Sequence, residues 1–338
     1  MYVSLRDVAA RSGVSFQTAS KVLNGRDGVV SADTRERILR AAMELGYVPN
    51  AMARGLVRRS SLTVGVLAED FTDLAVSQFV LAAQHTAVGR GHAALISNVH
   101  ANIDAASAIR KLLEHRVDGI LVAAPSLEND PELGKALRGT LPAVSINHIH
   151  GGGVPTIGSN HSLTASIAVE HLIKLGHQRI GTVTGPRARR VVQSRLRGMR
   201  SALRDAGRTL PAKRVVEADW THAGGYHGTL QLLDADPDVT AVFVHNDVMA
   251  IGALKAMHER DRRVPADCSL VSCDDLPFAP YLVPPLTTVR VPFAETGQLA
   301  ATLLLRRIDG ETIDERNLLP VELIVRDSTA PPLKSTAL

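Results

Sequence analysis

The segment "GVSFQTASKVLNG", Gly13 to Gly25, sets hydrogen-bonding side chains among small and apolar ones at helical spacing. With Ser15 as N-cap, a helix running to about Asn24 turns Ala19 and Val22 inward and Phe16, Gln17, Ser20 and Lys21 outward. Those outward side chains suit base edges. A Gln amide pairs bidentately with adenine, a Lys ammonium reaches guanine, and an aromatic edge meets a thymine methyl. Thr18 and Ser20 suit phosphates, which position a helix without reading sequence. The competing reading is a small helical bundle with an ordinary polar surface. It leaves an exposed Phe beside Gln and Lys without a packing reason.

Such a helix needs a platform. Ahead of it, "SLRD" starts another helix, with Ser4 as cap, Asp7 at the capping-box distance, and Leu5, Val8 and Ala9 as the apolar face. Gly13 supplies the tight turn between the two. Ser31 caps a third helix, "ADTRERILRAAMELG", whose apolar side holds Ile38, Leu39, Ala42 and Leu45, with Gly46 at its end. Helix, glycine turn and helix make the unit whose second helix enters a major groove. Charge points the same way. Residues 1–60 hold ten Lys or Arg against five Asp or Glu, so the chain's net +4 resides there and the rest is near neutral.

After Pro49, Asn50 can cap a short helix, "AMARGLVRR", too short to persist alone in water. Gly55 weakens it by roughly 1 kcal/mol relative to Ala. Ala53 and Leu56 share a face, and two copies packed in a dimer would drive Leu56 into a minor-groove step. A plain linker with a stray Leu reads equally well at this point.

From residue 62 onward, strand and helix patterns alternate. Strand-like runs lie at 62–68, 93–97, 119–124 and 142–147, then at 179–185, 241–245 and 268–273. Helical stretches lie near 74–90, 104–116, 128–139, 161–175, 190–206, 222–235, 247–260 and 293–308. Alternation in two series implies two doubly wound α/β lobes with parallel sheets, behind an all-α N-terminal unit. Ligands of such sheets bind at the carboxyl ends of the strands, which places a site between the lobes.

Several function classes find no support. The chain has no phosphate loop, no dinucleotide fingerprint and no nucleophile elbow. Its histidines are scattered, and its two cysteines, Cys268 and Cys273, sit in an apolar run, so no metal and no cofactor is expected. No apolar run reaches bilayer length and no leader is visible, which predicts a cytoplasmic protein without a membrane partner.

The chain resembles transcription factors of the lactose-repressor (LacI/GalR) family over nearly its whole length. The motifs that carry the likeness are "LRDVAARSGVSFQTASKVLNG", "VSADTRERILRAAMELGYVPN", "EHLIKLGHQRIGTVTGP", "RLRGMRSAL", "AVFVHNDVMAIGALKAM" and "PPLTTVRVPF". The resemblance implies a DNA-binding headpiece (1–48), a hinge helix and linker (49–61), and a core like periplasmic sugar-binding proteins (62–330), followed by a tail (331–338). Within the core it implies a near lobe (62–160 and 291–320) and a far lobe (161–290 and 321–330). It adds Ser4, Leu5, Ser15 and Asn24 to the DNA-facing residues and makes Asn50, Ala53 and Leu56 the hinge contacts. Gly55 departs from the more helix-favouring residues usual there, which implies tighter coupling of hinge folding to DNA binding.

The resemblance also implies an effector cleft. There Arg195 can donate two parallel bonds to neighbouring hydroxyls or a carboxylate, Asp274 can accept two hydroxyl protons, and Asn246 can do both. Trp220 offers a face for a sugar ring. Taken singly, Asp274 and Asp275 could cap a turn, Trp220 could be core, Arg195 could form a surface ion pair, and Asn246 or Asp247 could cap the next helix. Asp247 is assigned to that cap. Glu69, Asp70 and Asp73 supply polar groups from the near lobe, with Asn147 after its fourth strand. Asn147 stands where sugar-binding relatives often carry Asp, and Val291 where the lactose-repressor branch carries a polar side chain, and both argue against a β-galactoside. The expected protein is therefore a dimeric repressor of carbohydrate-utilisation genes. It binds a near-palindromic operator and is released by a sugar or sugar derivative. A solute-binding protein with the same core is the alternative, opposed by the basic headpiece; a sugar-modifying enzyme would need a phosphate loop.

Overall fold

The computed structural model describes residues 3–24, 30–48, 60–69, 71–99, 104–137, 139, 141–146 and 153–333. The predicted hinge residues Asn50, Ala53, Gly55 and Leu56, together with Asp70 and Asn147, lie outside the described residues.

Among the described residues three helices form the N-terminal unit: α1 (Leu5–Ser12), α2 (Phe16–Leu23) and α3 (Ala32–Leu45). Their starts are set by side chains that take otherwise orphaned N–H groups. Asp7 accepts from the Ser4 N–H at 2.8 Å while the Ser4 hydroxyl accepts from the Asp7 N–H, a reciprocal box. Gly13 ends α1 at φ +64°, where a Cβ is disfavoured, and turns the chain into α2. The shared core takes Val8 and Ala9 from α1, Ala19 and Val22 from α2, and Ile38, Ala41 and Ala42 from α3. Leu39 does not join it and is 41% exposed. The buried stripe steps by three and four from Ile38, and a residue directly after it points about 100° away.

The near lobe holds β1 (Thr63–Ala68), β2 (Ala93–Asn98), β3 (Gly119–Ala123), β4 (Ala143–Ser145), β5 (Thr156–Ser159) and, late in the chain, β11 (Arg316–Leu319). Their order is β11-β5-β4-β3-β1-β2. The far lobe holds β6 (Ile180–Thr184), β7 (Val215–Glu217), β8 (Ala241–Val244), β9 (Ser269–Asp274), β10 (Thr287–Arg290) and β12 (Glu322–Ile324), in the order β12-β10-β9-β8-β6-β7. All pairs are parallel except β10 with β12. The expectation of wholly parallel sheets thus fails at one edge, where mixed sheets tolerate an antiparallel strand.

Among the described residues eight helices cover these sheets: α4 (Leu74–Gly89), α5 (Ala105–Glu114), α6 (Pro131–Leu137), α7 (His161–Lys174), α8 (Arg190–Asp205), α9 (His222–Ala235), α10 (Asp247–Glu259) and α11 (Phe293–Ile308). Central strands such as β3 and β8 are buried along their whole length, which is why they read as unbroken apolar runs. The chain passes between lobes three times, from β5 to α7, from β10 to α11 and from β11 to β12. Strands β5, β7, β10, β11 and β12, of three or four residues each, are not among the runs expected from the sequence.

Candidate functional site

On α2, Phe16 is 51% exposed and Gln17 and Lys21 project from the same surface. Other members of the expected DNA-facing set are engaged within the headpiece. The Ser15 hydroxyl accepts from the Thr18 N–H at 3.1 Å and lies 2.8 Å from the Thr18 hydroxyl. The Asn24 amide turns back to donate to the Ser20 carbonyl at 2.8 Å and to its hydroxyl at 3.2 Å. The Ser4 hydroxyl donates to Asp7 at 2.7 Å, and Leu5 packs partly against the core. Phe16, Gln17 and Lys21 are thus exposed side chains of α2 outside these capping bonds, and the capped helix starts carry backbone N–H groups of a kind suited to phosphates.

The second site lies between the lobes. Arg195 is buried on α8, 4% exposed. It donates to the His245 carbonyl and, at 3.1 Å, to Cys273 Sγ, and stands 3.6 Å from Asp274 Oδ1. Its Nε has no partner among the described residues. Burial pushes the Asp274 carboxyl well above the ordinary carboxylate range, against the pull of Arg195. The charges of Asp247 and the near-lobe Asp73 push it the same way. Asp73 also caps α4, accepting from the Ala75 N–H at 2.8 Å. Glu69 accepts from the Ser126 N–H at 2.9 Å, tying the end of β1 to the 3-10 turn Pro125–Asn129. Val291 is buried, so it offers no polar group at its place in the crossing from β10 to α11.

Asn246, not Asp247, caps α10: its Oδ1 accepts from the Met249 N–H at 2.8 Å. Its amide nitrogen turns to the Trp220 carbonyl at 3.4 Å. Asp247 lies one residue inside the helix and is fully buried. It accepts from the hydroxyls of Ser272 and Thr288 and from the Leu276 N–H at 2.7 Å, locking β9 and β10 to α10. Burial raises its carboxyl to about 6 despite these bonds. Since a carboxyl with a raised folded pKa favours the folded state when protonated, its contribution is most favourable near pH 4 and is lost as pH rises through about 6. The gap from the ordinary 3.8 is worth about 3 kcal/mol. Asp247→Asn keeps an acceptor for Leu276 and is expected to flatten this part of the curve. Thermal melts of both proteins from pH 4 to pH 8 test it, and parallel profiles would count against it.

Trp220 has φ +72°, unusual for so bulky a residue. Its ring lies on Gly185: a Cβ there would sit 2.1 Å from the indole Cε2. The glycine thus lets the indole settle just past the end of β6, where it packs partly against two apolar clusters. Gly185→Ala is expected to expel the ring and to cost about 1–3 kcal/mol of stability. Trp220 is the only tryptophan, so the emission spectrum reads the displacement directly. An unshifted spectrum would refute the stacking argument.

The sequence reading missed three participants. His245, at the carboxyl end of β8, is buried with neither ring nitrogen partnered among the described residues. Burial, aided by Arg195, keeps the ring neutral. His161, at the start of α7, is held to about 3 by the same causes. Position at a strand end or helix start was the available signal for both. Glu128 of the near lobe is 5% exposed and bridges the lobes, accepting from Arg189 Nε at 3.1 Å and from the Arg190 N–H at 2.8 Å.

Residues 4–50 match the family model described as bacterial regulatory proteins, lacI family, and residues 169–329 match a periplasmic binding protein-like domain. The chain is 35% identical to the lactose operon repressor of Escherichia coli K12, over 99% of this chain and 93% of that protein. It is 33% identical to the transcriptional repressor CytR of the same organism, over 96% of each. Among solved structures, the lac repressor dimer bound to operator and the anti-inducer ONPF superposes with a TM-score of 0.88 at 33% identity, covering 98% of this chain and 100% of that one. The CelR–cellobiose complex gives 0.73 at 33% identity, covering 96% and 99%. Among the described residues no helix is long and apolar enough to cross a membrane.

Proposed function

The chain belongs to the LacI family of bacterial regulatory proteins, and from that premise we propose that it is a sequence-specific repressor of carbohydrate-utilisation genes, released from its operator by a sugar or sugar derivative. The reading is carried by one observation: a single chain joins a capped helix presenting Phe16, Gln17 and Lys21 to a core in which buried Arg195 and Asp274 are paired at the carboxyl end of β9. Ser4, Leu5, Ser15, Thr18, Ser20 and Asn24 position the headpiece on phosphates, while Asn50, Ala53 and Leu56 form the hinge. Glu69, Asn147, Trp220 and Asn246 complete the effector pocket.

The working form is a cytoplasmic homodimer on a near-palindromic site. Its support is the solved lac repressor dimer and an apolar stripe on α4, where Leu74, Leu81 and Val88 recur every seven residues and remain exposed. Effector binding shifts the DNA equilibrium only through its different affinity for two lobe arrangements, a coupling of roughly 1–3 kcal/mol. Lobe movement alters the Glu128–Arg189 bridge and the spacing of the two hinges. The test is fluorescence anisotropy on DNA upstream of the protein's own gene, with a panel of mono- and disaccharides. Salt-sensitive binding without sequence preference, unmoved by every sugar, would overturn the reading.

A further inference from the structure

A cavity of about 820 Å³ lies on the side of α8 away from Arg195. Arg190, Gln193, Ser194 and Arg197 line it at helical spacing that makes one face, from which Arg195 is rotated by more than a right angle. Four guanidinium groups, Arg189, Arg190, Arg197 and Arg316, stand against two carboxylates, Glu128 and Glu315. Glu128 is already spent on Arg189 and the start of α8. Arg316 has no ion pair among the described residues, and Arg197 donates to the Ser194 hydroxyl at 2.7 Å.

The wall from β5 into α7 adds donors. Ser159 is 7% exposed, lines the cavity, and its hydroxyl has no partner among the described residues. A buried hydroxyl left unpaired is unfavourable unless a ligand answers it. His161 Nδ1 is likewise buried and unpartnered. Helix α7 runs fourteen residues, has no acid in its first turn, and its Asn160 cap takes only the Leu163 N–H, at 3.2 Å. The N–H groups of His161 and Ser162 at its first positions have no helical acceptor and edge the same cavity. This cationic compartment contrasts with the carboxylate-bearing cleft around Asp274.

The geometry points to an oxyanion site: the cavity takes the phosphate or carboxylate of an anionic carbohydrate, held by Arg316, Arg197, Ser159 and the start of α7. This rests on the sugar-effector reading above and adds the charge class of the ligand. Calorimetry on the full chain, at constant ionic strength, would compare inorganic phosphate, glucose 6-phosphate, gluconate and glucose. Glucose 6-phosphate or gluconate is expected to bind more tightly than glucose, and Arg316→Ala to weaken that anion roughly tenfold, the loss of one charge-assisted bond. Ser159→Ala, which removes only an unpaired hydroxyl, is expected to weaken it severalfold without lowering Tm. Glucose 6-phosphate above inorganic phosphate identifies a phosphorylated sugar, gluconate above both a sugar acid, and inorganic phosphate alone a free anion, which overturns the carbohydrate part. Absence of anion binding at millimolar concentration, or binding undiminished in both variants, as the basic headpiece would give, overturns the site. Operator binding without any of these compounds is scored separately: its loss defeats the underlying reading, whereas its survival beside a failed anion titration defeats this inference alone.

Discussion

Arg195→Met is expected to bind operator as the parent does and to ignore the effector. Among the described residues the guanidinium is the one cation within ion-pair distance of Asp274, and its buried Nε has no partner there. Losing two charged hydrogen bonds to ligand hydroxyls weakens sugar binding by roughly a hundredfold or more. Cutting one partner from a buried ion pair ordinarily destabilises by about 3–5 kcal/mol, because a charge is stranded. Here the loss is smaller at low pH. Asp274 already has a raised carboxyl, and without Arg195 it rises further and takes up a proton. A carboxyl whose folded pKa exceeds its unfolded value stabilises the fold below that window and ceases to do so as pH rises through it. The stability deficit of the variant is therefore expected to widen from pH 5 to pH 8. Melting curves across that range, with operator titrations with and without sugar, check both parts. A variant that still responds to sugar would remove Arg195 from the effector site.

Gln17→Ala is expected to lower affinity for the preferred operator by roughly ten- to a hundredfold, about 1–3 kcal/mol for one bidentate base contact. The residue is exposed and takes no part in the capping bonds of α2, so the headpiece should fold unchanged. The loss is expected at one base position in each half-site, with non-specific binding and the salt slope retained. Lys21→Ala should behave differently if it meets a phosphate, weakening all sequences alike and reducing the slope by about one. Selection of preferred sites from random DNA, with parent and variants in parallel, separates the two. An unaltered base preference for Gln17→Ala would show that α2 reads sequence through other side chains.

Much of this architecture is local and was legible in the order of residues. Ser4, Ser15 and Ser31 each cap the helix they precede, since a capping bond spans only three residues. The long helices and buried strands follow from apolar spacing, and the two repeated series of them announced two lobes. Where the reading slipped locally, the cause was a single step of register. Leu39 fell off the buried stripe, and Asn246 took the cap assigned to Asp247. A helix start depends on which residue holds extended dihedrals, and two adjacent polar residues satisfy the composition equally well.

Tertiary structure decided the rest. Strands such as β5 and β7 exist because a partner strand supplies their ladder, not because their own side chains demand it. The bridge from Glu128 to Arg189 joins residues 61 apart, and that from Arg195 to Cys273 joins residues 78 apart. Neither pairing has a periodic trace along the chain. Residue types and short-range spacing are set by covalent neighbours. Which buried charge meets which, and what pKa it then adopts, is set only when closed loops bring distant elements into a medium that water no longer fills.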